Sequence, residues 1–136
     1  MNFTKDLANF LTANVPGINV YYNTKVKDND VIPDLAVFIY SYAGKKPDRC
    51  FGNRVEVRHP RAFIQVRSNI EGSIDGNELE DAWDLTETIY ETLQTADLPG
   101  YEDVKFMDGN FEQGNKDDQN RTIWAAKIEG FINRNP

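Results

Sequence analysis

The chain has 136 residues, of which 40% are hydrophobic and 27% charged, a composition typical of one soluble globular domain. The 22 acidic residues exceed the 15 basic ones and give a net charge of −7, which argues against sequence-reading nucleic-acid binding, because that needs a basic surface. A single cysteine excludes an internal disulfide, and with a single histidine it excludes a His/Cys zinc site within one chain. We expect one domain over residues 1–136 without metal or cofactor.

Membrane insertion and secretion are not expected. The longest apolar run, residues 35–40, is far shorter than the roughly 20 residues of a membrane-spanning helix. Asn9 and Thr12 interrupt the apolar stretch near the N-terminus, and no small-x-small cleavage site follows it. We therefore expect synthesis in the cytoplasm and no membrane contact.

The N-terminal part of the chain predicts a helix and then a strand. Apolar residues recur at helical spacing until Pro16-Gly17, where the helix should end; they are Phe3, Leu7, Phe10 and Leu11. Alternating apolar residues predict a strand over 18–22, and the polar residues 24–34 predict a loop.

Residues 35–42 predict a strand that is apolar on both faces. Both faces must then be covered, either by sheet and helix or by sheet and a neighbouring subunit. A second polar loop is predicted over 43–53. Residues 54–67 then predict a strand with a bulge, bend or edge at Pro60, since proline cannot donate a backbone hydrogen bond.

The second helix is the clearest predicted element. Ser73 and Asp75 are candidate caps, and Pro99-Gly100 should follow its end. One apolar stripe is expected to comprise Leu79, Ala82, Trp83, Thr86, Tyr90 and Leu93. A short strand over 104–107, a polar hairpin loop and a long final strand over 121–132 complete the chain. Strands grouped around one long helix predict an α+β fold: a mostly antiparallel sheet packed against one long amphipathic helix, with an additional N-terminal helix.

Three local patterns contain residue types that can carry chemistry. His59 beside Pro60 is best interpreted as a surface histidine at a strand break, because no nucleophile accompanies it. Cys50 lies beside Arg49, which would lower a thiol pKa, but no general base is evident. The segment 108–118 resembles the start of a calcium loop, yet Gln113 and Gln119 replace the required glycine and glutamate. We expect no enzymatic activity.

Charge is distributed unevenly along the chain. Residues 68–104 contain eleven acidic residues and no basic one. Four acids of the second helix recur at steps of four, three and four, opposite the apolar stripe: Glu80, Asp84, Glu87 and Glu91. A candidate basic face lies in the preceding loop and strand and comprises Lys45, Lys46, Arg49, Arg54, Arg58 and Arg61. A solvated surface, pairing within one chain, and a head-to-tail contact between copies all explain this pattern.

The order of elements resembles the tail terminator proteins of long-tailed bacteriophages, a family also labelled phage minor capsid proteins. The matching pieces are the helix ending near Val15-Pro16-Gly17, Pro33-Asp34 before the strand 36–40, the Gly44 to Pro47 loop, the strand 61–68 with Gln65-Val66-Arg67, the helix from Ala82-Trp83 to Leu93, and Asn120-Arg121 before the strand 122–131.

The resemblance implies an architectural role in the virion, at the junction of tail and neck. Members assemble as a ring, typically a hexamer, on the head-proximal end of the tail tube, where the ring ends tube polymerisation and joins the head connector. The implied partners are further copies of the chain, the major tail tube protein, the head–tail connector protein and the tape-measure protein. Genomic DNA would pass through the ring without specific binding, and part of the acidic surface would face the lumen. A head-completion or connector protein, or a small acidic binding module, are the alternatives.

Overall fold

A computed structural model of the chain describes residues 2–23, 35–50, 55–68, 77–95, 97–107, 109–114, 116 and 121–134; side chains at 42–50, 55–56, 77–81 and 133–134 lie outside the description. Over these residues the fold is α+β, with two helices and one mixed six-stranded sheet. The helices are α1 (Phe3–Asn14) and α2 (Asn77–Thr95). The strands are β1 (Val20–Tyr22), β2 (Leu35–Cys50), β3 (Val55–Ser68), β4 (Asp103–Phe106), β5 (Glu112–Gln113) and β6 (Thr122–Arg134).

The sheet has the strand order β1-β2-β3-β6-β4, and β5 pairs with β6 beyond the end of β4. The β1–β2 pairing is parallel, whereas the other described pairings are antiparallel. The sheet is therefore mixed, because the first strand joins its edge in the parallel sense.

Short polar side chains position α1 against the sheet. Asn2 caps the helix by accepting hydrogen bonds from the Lys5 amide and the Thr4 hydroxyl. Asn23, which follows β1 with a positive φ of 51°, donates to the Thr4 hydroxyl and accepts from the Ser41 amide. Asparagine tolerates this left-handed conformation better than most residues. One side chain thus connects α1, β1 and β2.

The predicted loop over 43–53 is wrong for most of its length, because β2 continues to Cys50 and pairs with β3. Two shifts of register, between Tyr42 and Lys45 and between Lys45 and Asp48, each place an additional residue in β2. The predicted irregularity at Pro60 is confirmed, since Pro60 faces the first of these bulges. The predicted loop 24–34 and the candidate caps Ser73 and Asp75 lie outside the described residues.

Both helices pack on one face of the sheet and enclose a single hydrophobic core. The core side chains include Leu7 and Leu11 of α1, Val37 and Ile39 of β2, Ile64 and Val66 of β3, Ile89 and Leu93 of α2, and Ala126 and Ile128 of β6. The two-sided burial predicted for β2 is confirmed, because Ala36 and Phe38 on the opposite face are also fully buried.

The apolar stripe predicted for α2 needs correction. Ala82, Thr86 and Leu93 are buried as predicted, but the fully buried side chain of the middle turn is Ile89. Trp83 is instead 44% exposed, and its ring meets the edge of Trp124 at a centroid distance of 5.3 Å. The side chains of α2 are described only from Ala82 onward, and the core depends on α1 as much as on α2. The single long covering helix that was predicted is therefore not evident.

Candidate functional site

A buried polar cluster lies on the face of the sheet opposite the helices. His59 of β3 is only 6% exposed, so the prediction of a surface histidine is wrong. Its Nδ1 lies 3.2 Å from the Glu129 carboxylate, and the Arg61 Nε–H donates to the same carboxylate at 2.8 Å. The Phe131 ring packs perpendicular to the imidazole at 5.0 Å. The cluster joins β3 to β6, which is a structural role.

Metal binding has no support among the residues that the structure describes. No three His, Cys, Asp or Glu side chains of this part of the chain come together in a way that could hold an ion. The Cys50 side chain and several positions of the segment 108–118, including Asp108, lie outside the described side chains. Neither described helix is long and apolar enough to cross a membrane.

The outer side of α2 carries an acidic ridge, which we define as Asp84, Glu87 and Glu91. Asp84 and Glu91 are exposed and Glu87 is half-buried. No described cation lies within ion-pair distance of any of the three. Pairing of this ridge with basic residues of the same chain, one of the interpretations left open by the sequence, is not observed among the described side chains. Glu80 belongs to α2, but its side chain is outside the description.

The predicted basic face is only partly described. Arg58 is exposed near the start of β3, whereas Arg61 is half-buried and donates to Glu129. The side chains of Lys45, Lys46 and Arg49 lie outside the description, and Arg54 lies outside the described residues. The sequence did not identify a second group of cations, which the structure places on the face of the sheet opposite the helices.

We call this side the helix-free face, since both described helices pack on the other side. Three cations each lie over an aromatic ring here: Arg67 over Phe38 at 4.5 Å, Lys105 over Phe131 at 5.4 Å and Lys127 over Phe63 at 5.7 Å. A cation within about 6 Å of a ring centroid is attracted by the negative face of the ring. Long aliphatic stems therefore cover aromatic surface here while their charged groups remain near water.

Two grooves lie on the surface of the described residues. One has a volume of about 260 Å³ on the helix-free face, and its lining includes Phe63, Ala125, Lys127 and the exposed Glu112. The other, of about 390 Å³, lies beside α1, with Phe10 as its aromatic wall and Asp6, Asn9 and Asp97 among its polar lining.

One buried tyrosine has a perturbed acidity. The Tyr101 hydroxyl donates a 2.7 Å hydrogen bond to Asp6 in the first turn of α1, and its ring packs against Phe3. Burial, and then the hydrogen bond and the negative charge of Asp6, hold the pKa of Tyr101 well above its ordinary value. Tyr101 thus stays neutral and connects the chain before β4 to α1.

Neither a protein-family model nor a curated protein matches this sequence.

Proposed function

We propose that this chain is a structural protein of a long-tailed bacteriophage that forms a ring, most simply a homohexamer, on the head-proximal end of the tail tube. The ring would end tube polymerisation and offer a surface to the head connector, with no catalytic step. Its partners would be further copies of the chain, the tube protein, the connector protein and the tape-measure protein, at the neck of the virion.

The observation that carries the proposal is the presence of two chemically different surfaces on opposite sides of one small domain. The acidic ridge lies on the helix layer, and the cations of the helix-free face lie on the other side of the sheet. A protein that must contact its own copies and two further partners needs several distinct faces. The sequence resemblance supplies the biological setting.

The proposal includes a finer feature of α2. We infer that this helix is amphipathic over all of Asn77–Thr95, so that Glu80 extends the acidic ridge by one turn. The ridge would then face either the lumen of the ring or a neighbouring copy.

Deletion of the gene from its phage is the direct test, with tails measured by electron microscopy. We expect overlong tails or tails without heads, and restoration of the normal length by the wild-type gene supplied in trans. Tails of normal length beside heads that leak DNA would overturn the terminator proposal and indicate a connector. Normal virions would indicate a binding module without a role in assembly.

A further inference from the structure

We propose that the groove beside α1 binds an arginine side chain of a partner protein. The groove has a volume of about 390 Å³ and lies between α1 and the segment that follows α2. Its lining combines two carboxylates with apolar side chains and includes Asp6, Asn9, Phe10, Ala13, Asp97 and Pro99. The inference goes beyond the proposed function and does not depend on it.

Every described charge on the lining of this groove is negative. Asp97 is exposed, and it has no ion-pair or hydrogen-bond partner among the described residues. Asp6 accepts the hydrogen bond of the Tyr101 hydroxyl through Oδ2, which leaves Oδ1 as a further acceptor. Lys5, the only cation of α1, does not line the groove. A positive group in the groove would therefore meet carboxylates without a competing cation from the described lining.

Two helix ends add to the negative potential of the groove. It reaches Asn14, the last residue of α1, and Asp97, which lies two residues beyond the end of α2. The carbonyl groups at the C-terminus of a helix carry partial negative charge, and the last turns of α1 and α2 hold no basic residue. The Asn14 amide group donates to the Phe10 carbonyl, so its Oδ1 is also available as an acceptor. Hydrogen-bond acceptors thus converge here, as a cationic donor requires.

The apolar walls of the groove favour arginine over lysine. The Phe10 ring is half-buried against the core, and it has no ring or cation contact among the described side chains. A planar guanidinium group can lie on an aromatic face while its edge donates to carboxylates, whereas an ammonium group is a point charge. The exposed Ala13 and Pro99 offer apolar surface to the aliphatic stem of the same side chain.

Buried contacts hold the two walls of the groove in place. The hydrogen bond of 2.7 Å from the Tyr101 hydroxyl to Asp6 joins the segment after α2 to α1. Leu98, which is 5% exposed, anchors the same segment in the core, and the Tyr101 amide donates to its carbonyl at 3.1 Å. Gly100 makes this turn with a φ of 87°, which glycine adopts without strain. A preformed site loses little conformational entropy on binding, which favours even a small contact.

The shape of the groove favours a side chain presented by another protein. It follows α1 from Asp6 to Asn14, a length of about 12 Å at 1.5 Å per residue, and is open to solvent along one side. Sites for small molecules usually enclose most of their ligand. An open groove of this kind instead admits a residue that projects from a protein surface.

The test is a titration of the full ¹⁵N-labelled chain, followed by NMR, with blocked tripeptides that carry arginine, lysine or citrulline between two glycines. Citrulline has the shape of arginine without its charge. Because one side chain makes few contacts, we expect a dissociation constant of about 1–20 mM for the arginine peptide. The shift changes should be centred on Asn9, Ala13, Asn14 and Asp97. The lysine and citrulline peptides should bind at least about threefold more weakly.

Variants distinguish the groove from a general attraction of cations to an acidic chain. Asp97→Lys should raise the dissociation constant of the arginine peptide at least about tenfold. Phe10→Leu keeps an apolar side chain against the core but removes the ring, and should raise the constant at least about threefold. Asp84→Lys is the matched control, because Asp84 is an exposed aspartate that does not line the groove. It should change the constant by less than about twofold, since salt screens distant charges.

Four results would overturn the inference. They are the absence of saturable shifts up to about 50 mM arginine peptide, equal binding of the citrulline peptide, equal losses in Asp97→Lys and Asp84→Lys, and tighter binding of free arginine than of the peptide. The third would show non-specific ion pairing only, and the fourth would indicate a site for a small molecule. Tail length after deletion of the gene bears on the terminator proposal alone, so the two proposals can fail separately.

Discussion

Gly130 lies where β6 passes two aromatic rings of the core. A Cβ at this position would be 2.9 Å from Cε1 of Phe3 and 3.2 Å from Cδ1 of Tyr101. Both rings are buried and packed against each other, so neither can move aside at low cost. The close approach of these rings to the strand therefore requires a residue without a side chain.

We predict that Gly130→Ala lowers the free energy of unfolding by about 1–3 kcal/mol, the usual cost of overpacking a core. Urea denaturation followed by circular dichroism measures this change. Gly114→Ala is the matched control, since its Cβ would lie 3.8 Å from the nearest atom, the Ile123 carbonyl oxygen. That variant should change the stability by less than about 0.5 kcal/mol. Equal effects of the two substitutions would contradict the steric account.

Because the pKa of Tyr101 is raised in the folded chain, we predict that the free energy of unfolding decreases at alkaline pH. Its pKa is raised in the folded chain, so above its ordinary pKa of about 10 the unfolded chain loses a proton that the folded chain keeps. The contribution of Tyr101 is fully present below that pH and is lost as pH rises through the folded pKa. Between the two pKa values, the free energy of unfolding therefore falls with rising pH by at most about 1.4 kcal/mol per pH unit.

In Tyr101→Phe this slope should disappear, and stability at pH 7 should fall by about 1 kcal/mol through loss of the hydrogen bond to Asp6. Urea denaturation between about pH 9 and pH 11 tests both effects. Tyr22→Phe, at a 38% exposed tyrosine, should retain the slope. An unchanged slope in Tyr101→Phe would show that other groups cause it.

At the scale of the element, α2 combines a buried stripe with a surface of one charge. Glu87 and Glu91 are four residues apart on the helix, and its last turn holds no basic residue. Like charges at this spacing destabilise a helix by a few tenths of a kcal/mol per pair. An acidic ridge is therefore a small cost to the folded chain, which is consistent with a role in contact between molecules.

We predict that Glu91→Lys raises the free energy of unfolding by about 0.5–1 kcal/mol, because it removes one repulsion and adds an attraction to Glu87. Glu91→Gln removes only the repulsion and should give about half of this gain. Thermal and urea unfolding of the two variants provide the measurement. A loss of stability in Glu91→Lys would mean that the carboxylate of Glu91 has a cationic partner within the chain.

Strand β2 shows that local sequence patterns do not suffice to predict where a long strand ends. Gly44 and Pro47 lie within the two shifted stretches of β2, and the sequence therefore favoured a loop. β2 beyond Ile39 has no described neighbour on its outer edge, and an edge strand tolerates proline and bulges. Continued pairing with β3 outweighs the local preference for a turn.

At the scale of the whole molecule, the two sides of the sheet differ in charge pattern. The acidic ridge on α2 has no described cation as partner. On the helix-free face, described cations lie among acids: Arg61 beside Glu129, Lys105 beside Asp103, and Lys127 at the groove that Glu112 also lines.

The sequence by itself determined the α+β class, the end of α1 shortly before Pro16-Gly17, the two-sided burial of β2 and the single-signed charge of α2. Each of these follows from the periodicity or composition of a short segment. The tertiary structure decided the burial of His59, the exposure of Trp83 and the positions of cations over aromatic rings. These depend on register between distant strands: Arg61 and Glu129 meet although 68 residues separate them in the chain. Such a register is set by the packing of the whole core, which no local pattern encodes.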